Sequence, residues 1–257
     1  MKRILLVLFL VFPAMVYGQK KALDHSVYDK WERLSSSNVS DDGKYVSYEI
    51  NPQEGDGILF LYETRSGDKN SFERGNGATF SAGNDYFVYQ IKPEYELTQQ
   101  AKRDKKKPDQ MPKNDMGIKI LGKDDVRIIE RVKSFKLPDK EGDWMALLKE
   151  KALPEKDEKA EDGEEENKEK AKEKKKKKTK QKGTELLIIN PLSGAEYSYK
   201  NVLDYAPADK GTALAYVSVT TDTTKTDTYT VSVFDTGAES SEEIFSGEGE
   251  LTGLKVY

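Results

Sequence analysis

The chain has 257 residues, of which 36% are hydrophobic and 34% charged, with a formal net charge of −4 and no cysteine. That is enough apolar material for a sizeable core, and without cysteine neither disulfide staples, zinc–thiolate centres nor thiol chemistry can contribute. Most of the charge excess is concentrated in two tracts, and the remainder of the chain reads as ordinary globular sequence.

Lys2-Arg3 precede an uninterrupted apolar run from Ile4 to Phe12, and Val16-Tyr17-Gly18 offers small or modest residues at a cleavage site before Gln19. Residues 1–18 are therefore predicted to be a cleavable signal peptide, which places the mature chain in the periplasm or outside the cell. The run falls short of the roughly 20 apolar residues of a membrane span, and no Cys follows it for lipid attachment. An uncleaved anchor is the alternative. Nucleic acid is not expected as a partner of an exported chain. Residues 19–36 read as a lead-in: Val27, Trp31 and Leu34, with Asp24 or Ser26 as N-cap, predict a short helix or turn. His25, the only histidine, lies in it with no nucleophile signature nearby and is assigned a surface or capping role.

Residues 37–257 carry a repeat. Ser40-Asp41-Asp42-Gly43-Lys44 is a polar turn followed at once by the alternating segment Tyr45-Val46-Ser47-Tyr48, and the pattern returns at Asn84, Gly142 and Gly211. Three residues beyond each turn stands a large apolar residue (Val46, Phe87, Met145, Leu214), and five beyond stands another (Tyr48, Tyr89, Leu147, Tyr216). Between them lies a small or β-branched residue: Ser47, Val88, Ala146, Ala215. Period-two alternation after a turn tolerant of positive φ predicts a β-strand with one face toward a packing layer. A second landmark closes later strands: Thr64-Arg65-Ser66-Gly67 after Leu59 to Tyr62, Asn190 to Gly194 after Leu186 to Ile189, and Asp235-Thr236-Gly237 after Val231 to Phe234. Four strands per repeat at a period of about forty residues predict propeller blades, which bury their faces only by stacking on neighbours. The fold class expected is all-β: an incomplete β-propeller of about four four-stranded blades, with Leu251 to Tyr257 starting a fifth.

The turns are 41, 58 and 69 residues apart, and the two surpluses have obvious homes. Residues 94–113 form a polar insertion in which prolines bound a helix of about three turns and Lys102 to Lys107 form a basic cluster. Residues 154–182 are acidic to Glu169 and basic from Lys170, with almost nothing to bury, and are predicted to be disordered at a hairpin tip. Either basic run could meet an anionic surface, though such runs are usually just solvated.

Several stretches resemble one family. Ala22 to Asp29, Ser40 to Lys44, Asn51 to Gly57, Lys105 to Asp109 with Met111-Pro112, and Arg131 to Phe135 resemble the amino-terminal propeller of secreted bacterial serine peptidases of the prolyl oligopeptidase family. The resemblance covers Lys20 to Tyr257. It implies a propeller lying over an α/β-hydrolase domain that follows in the chain and limiting substrates to short or flexible peptides. The hydrolase's G-x-S-x-G elbow is not in this sequence, and its only histidine precedes the first repeat. Glu242-Glu243 lie in an outer strand, without the helical context of the paired glutamates that bind substrate amino termini in the dipeptidyl-peptidase branch. No catalytic, cofactor-binding or metal-binding residue is therefore assigned, and no cofactor is expected. The function expected is the non-catalytic, substrate-gating part of an exported serine peptidase, acting on short peptides through a hydrolase domain absent from this chain; the alternative is a non-enzymatic exported propeller that binds a peptide, glycan or protein.

Overall fold

The computed structural model describes Tyr28, residues 31–151, 183–221 and 226–249, and Leu254 and Val256. The predicted signal peptide, His25, the tract 154–182 and the start of a fifth blade lie wholly or largely outside these residues. What is described is four consecutive antiparallel meanders stacked face to face, so the propeller reading stands.

The first blade holds β1 (Glu32–Val39), β2 (Tyr45–Pro52), β3 (Ile58–Glu63) and β4 (Lys69–Glu73), hydrogen-bonded in that order. The second holds β5 (Gly75–Phe80), β6 (Tyr86–Ile91), β7 (Asp115–Ile120) and β8 (Val126–Ile129). Then come β9 (Val132–Lys136), β10 (Met145–Lys149), β11 (Thr184–Ile189), β12 (Glu196–Pro207), β13 (Ala213–Thr221), β14 (Asp227–Asp235) and β15 (Ser240–Glu248). These last seven form one continuous sheet because β12 serves two blades. Its first half, Glu196 to Val202, pairs with β11, and its second half, Val202 to Pro207, pairs with β13. The predicted lead-in is corrected at its end: from Glu32 the chain is strand, since β1 must supply the innermost strand of the first blade.

The entry turns share one geometry. Gly43, Asn84, Gly142 and Gly211 all have positive φ, between 58° and 110°. In three copies the same two backbone bonds close the turn: Gly43 N donates to Ser40 O and Ser40 N to Tyr45 O, and the pattern repeats at Asn84, Ser81 and Tyr86 and at Gly211, Ala208 and Ala213. The third turn departs. Lys140 N donates instead to Asp209 O at 2.8 Å, so the third turn is tied to the fourth. Glycine is required there, because a Cβ on Gly211 would stand 2.4 Å from the carbonyl oxygen of Glu141.

Two further signals escaped the sequence reading. The closing turn of the second blade is at Gly122 (φ 78°), equivalent to Gly67 and Gly194 (both 81°). In the fourth blade the left-handed residue is Glu239 (51°) rather than Gly237. The links between blades also turn through left-handed residues, and none is glycine: Arg74, Arg131 and Asn201. Backbone bonds hold them, such as Lys92 N to Arg74 O and Glu150 N to Arg131 O.

Three cores lie between the four blades. Leu59 and Leu61 of the first blade pack on Phe87 and Tyr89 of the second. Tyr86, Val88, Met116 and Ile118 of the second pack on Met145, Leu147, Leu187 and Ile189 of the third. Ala146, Leu148, Leu186 and Ile188 of the third pack on Leu214, Tyr216 and Phe234 of the fourth. Phe87, Met145 and Leu214 are buried as the repeat requires, whereas Val46 is only half-buried. The physical reason is that no described element covers that face of the first blade.

Candidate functional site: clefts at the two ends of the blades

A meander alternates its connections, so the entry turns and closing turns leave one end of the blades and the strand-two-to-strand-three loops and blade links leave the other. Both insertions use the second kind of loop. The hairpin that carries 154–182 is confirmed in register, Leu148 opposite Leu186. In the first insertion the predicted helix is α1 (Tyr95–Arg103), followed by one 3-10 turn, Pro108–Gln110. Tyr95 N donates to Asp56 Oδ1 at 2.9 Å, which anchors α1 to the first blade's loop. Ala101 is the helix's only buried residue, and the cluster from Lys102 to Lys107 is exposed. Lys102 and Arg103 occupy the last turn of α1, where cations offset the negative end of the helix dipole.

At this same end, a cleft of about 460 Å³ opens at the root of the second insertion. Blade links supply Glu130-Arg131 and Lys200-Asn201, and the hairpin strands supply Lys149 to Lys151 and Gly183 to Glu185. Its charges are largely satisfied within the protein. Arg131 donates through Nη2 to Lys151 O at 2.8 Å and through its backbone N to Asp115 Oδ1 at 2.9 Å. Glu150 lies 3.3 Å from Lys113 Nζ, Glu185 lies 3.8 Å from Lys149 Nζ, and Ser198 donates to Glu185 at 2.7 Å. The lining alternates in charge and holds no nucleophile beside a base.

A second cleft, about 380 Å³, lies where the inner strands converge, between Thr79, Phe135 to Leu137, Asp139, Pro207 and Asp209. Lys136 Nζ donates to Tyr205 O at 2.5 Å and stands 4.8 Å from the Tyr205 ring centroid. Burial pushes the Tyr205 hydroxyl up to about 12, against a lowering hydrogen bond with Ser134, so the phenol stays neutral at ordinary pH. Lys140 and Asp209 close one side with a 2.8 Å ion pair. The opening is thus bordered by hydrogen-bonded, charge-paired groups.

No residue had been assigned a catalytic role from sequence. Glu242 and Glu243 are exposed on β15, opposite Val233 and Ser232, in an outer strand as expected. Among the described residues no group of three or more His, Cys, Asp or Glu side chains is placed to hold a metal ion. Among them, too, no helix is long and apolar enough to cross a membrane.

No family model matches the chain, and no curated protein does. Solved structures do, at the level of the fold. The β-propeller domain of the Trilobed protease from Pyrococcus furiosus is 9% identical, with a TM-score of 0.42 over 84% of this chain and 58% of that one. The acylaminoacyl peptidase of Pyrococcus horikoshii is 9% identical, with a TM-score of 0.44 over 86% and 33%. TolB from Acinetobacter baumannii is 10% identical, with a TM-score of 0.35 over 82% and 43%. The chain therefore spans between a third and three fifths of the length of these proteins.

Proposed function

We propose that this chain is the propeller portion of an exported prolyl-oligopeptidase-like serine peptidase, in which it governs access of short peptides to an α/β-hydrolase domain in the same protein. The observation that carries the proposal is the coincidence of two independent features. The repeat folds into stacked four-stranded blades, and the segments that resemble the family fall mainly in its connections: an entry turn (Ser40 to Lys44), two strand-two-to-strand-three loops (Asn51 to Gly57 and Lys105 to Pro112), and a blade link running into an inner strand (Arg131 to Phe135). A loop-by-loop likeness is harder to reach by chance than a likeness of strands, because loops are not constrained by packing. In this reading the inner-strand cleft borders the route to the hydrolase, and chemistry is left to residues elsewhere.

The reading frame beyond Tyr257 tests it: a continuation encoding G-x-S-x-G and a late histidine supports the peptidase, whereas a stop codon leaves the exported binding propeller. A second measurement is enzymatic. The purified 257-residue chain is expected not to turn over proline- or alanine-containing chromogenic peptides, since its sequence carries no G-x-S-x-G elbow and its single histidine precedes the first repeat. Turnover abolished by a serine-directed inhibitor would overturn that assignment of chemistry.

A further inference from the structure

One buried charge breaks the repeat. Across from the first large apolar position of each repeat stands Tyr62 (opposite Val46), Ile189 (opposite Met145) or Phe234 (opposite Leu214), but in the second blade the residue there is Lys119, opposite Phe87. Lys119 is nevertheless only 4% exposed, with Val126 on its other side, on the face of the second blade that packs on the first. Its ammonium donates to the carbonyl oxygens of Lys123 and Asp124 and pairs with no carboxylate among the described residues. An ammonium has three N–H donors, so one is left over. A buried charge without a counter-charge is costly, which makes this lysine an odd tenant of an apolar position.

Lys119 lines a cleft of about 370 Å³ at the seam between the first and second blades, beside the closing turn at Gly122. The first blade's wall carries Glu63 and Asp68 and the second blade's wall Lys119 and Lys123, with the exposed Asp124 next to Lys123. Although the two walls bear opposite charges, no ion pair joins them among the described residues. The Tyr45 hydroxyl and the Asn70 amide, which border the same space, make no side-chain hydrogen bond either. Opposite charges held apart in this way leave room for a ligand that carries both. Ligand cavities run from roughly 300 to 1,000 Å³, so that ligand is small. Only Leu61, Leu121 and the Tyr45 ring offer apolar contact, which puts recognition on the ligand's charged ends rather than on its side chains.

We infer that this cleft binds a zwitterion of amino-acid to dipeptide size, seating its carboxylate on Lys119 and its ammonium against Glu63 and Asp68. The carboxylate takes the remaining N–H of Lys119 and supplies the counter-charge that the chain itself lacks, a charge-assisted hydrogen bond in a site already largely withdrawn from water. The ammonium does the same for the first blade's carboxylates. A free amino acid and a dipeptide share this chemistry and differ only in the reach between their charged ends. The inference rests on the seam alone and is independent of the peptidase reading.

The test is titration calorimetry of the purified chain with alanine and with Ala-Ala, each also with its amino end acetylated or its carboxyl end amidated, beside the variant Lys119→Met. Methionine keeps the apolar stem, and apolar residues hold that place in the other three blades, so the variant is expected to keep the wild-type circular dichroism. The expected result is saturable binding of an uncapped probe to the wild type, with the tighter of the two naming the source, and binding weaker by about tenfold or more for either capped form and for Lys119→Met. The capped probes are measured on the wild type, so they decide the matter even if the variant does not fold. A wild type that saturates with neither uncapped probe by high millimolar concentration, that binds either capped form as tightly, or a folded Lys119→Met of unchanged affinity would each overturn the inference.

Discussion

Glu49 shows how one residue can join two blades. It sits on β2 at a position facing the second blade, only 1% exposed, and its carboxylate accepts from Gly77 N at 2.9 Å, Asn76 Nδ2 at 2.9 Å and Asn51 Nδ2 at 3.1 Å. Gly77, with φ of 61°, lies in the β5 bulge that turns its N–H toward this oxygen. Burial raises the Glu49 carboxyl, but the bonds from Gly77, Asn51, Asn76 and Ser36 outweigh it and hold the group below its usual value. Every partner is a donor, so Glu49→Gln turns an amide N–H against donors and should cost about 1–3 kcal/mol, measured by denaturant unfolding. A folded value below the unfolded one means that the Glu49 contribution is complete above the ordinary carboxyl range and lost as pH falls through the folded value. The wild type should therefore lose stability on acidification, and Glu49→Gln should flatten that slope. Phe87 is fully buried against Phe72, Phe80 and Tyr89, and Phe87→Ala should cost about 3–5 kcal/mol. Val46→Ala, at the equivalent half-exposed position, should cost a fraction of that; equal losses would mean that the first blade's face is covered.

At the scale of elements, the hairpin β10–β11 pairs Met145, Ala146, Leu147 and Leu148 with Ile189, Ile188, Leu187 and Leu186, all of them buried. Its register is held by side chains that pack on both neighbouring blades, so it does not depend on the long connection between its strands. Replacing residues 154–182 by a short polar loop should therefore leave the melting temperature within a few degrees, as loop-closure entropy changes slowly with length. A large drop would show that the tract packs on the blades. The turn pair Gly142 and Gly211 is the opposite case: its two backbones touch, and nothing in the local pattern of either repeat announces it.

At the scale of the molecule, stability is a sum over neighbouring blades, because each sheet packs only on the next. Among the described residues the second and third blades are covered on both faces, whereas the first is covered on one. Amide exchange should accordingly be slowest in β6, β10 and β11 and fastest in β1 and β15, whose side chains are mostly exposed. Uniform protection from β1 to β15 would mean that the blades unfold as one unit.

The start of β1 inside the expected lead-in and the turn at Gly122 were not legible in the sequence, whereas the strands that follow the entry turns at Gly43, Asn84, Gly142 and Gly211, the strands Leu59 to Tyr62, Leu186 to Ile189 and Val231 to Phe234, the turns themselves and the places of both insertions were. They follow from local chemistry, namely period-two alternation and residues that accept positive φ, which does not depend on what lies across the fold. What only the tertiary structure decided is where that alternation finds a partner. Val46 and Phe87 occupy the same place in the same repeat, yet one is half-exposed and the other fully buried, since burial belongs to a pair of sheets. The left-handed links at Arg74, Arg131 and Asn201, the β12 strand shared by two blades and the carboxylate of Glu49 between β2 and β5 are likewise set by contacts between segments distant in sequence. A non-glycine residue takes a left-handed conformation when hydrogen bonds from neighbouring strands hold it there, and such bonds exist only once the blades are stacked.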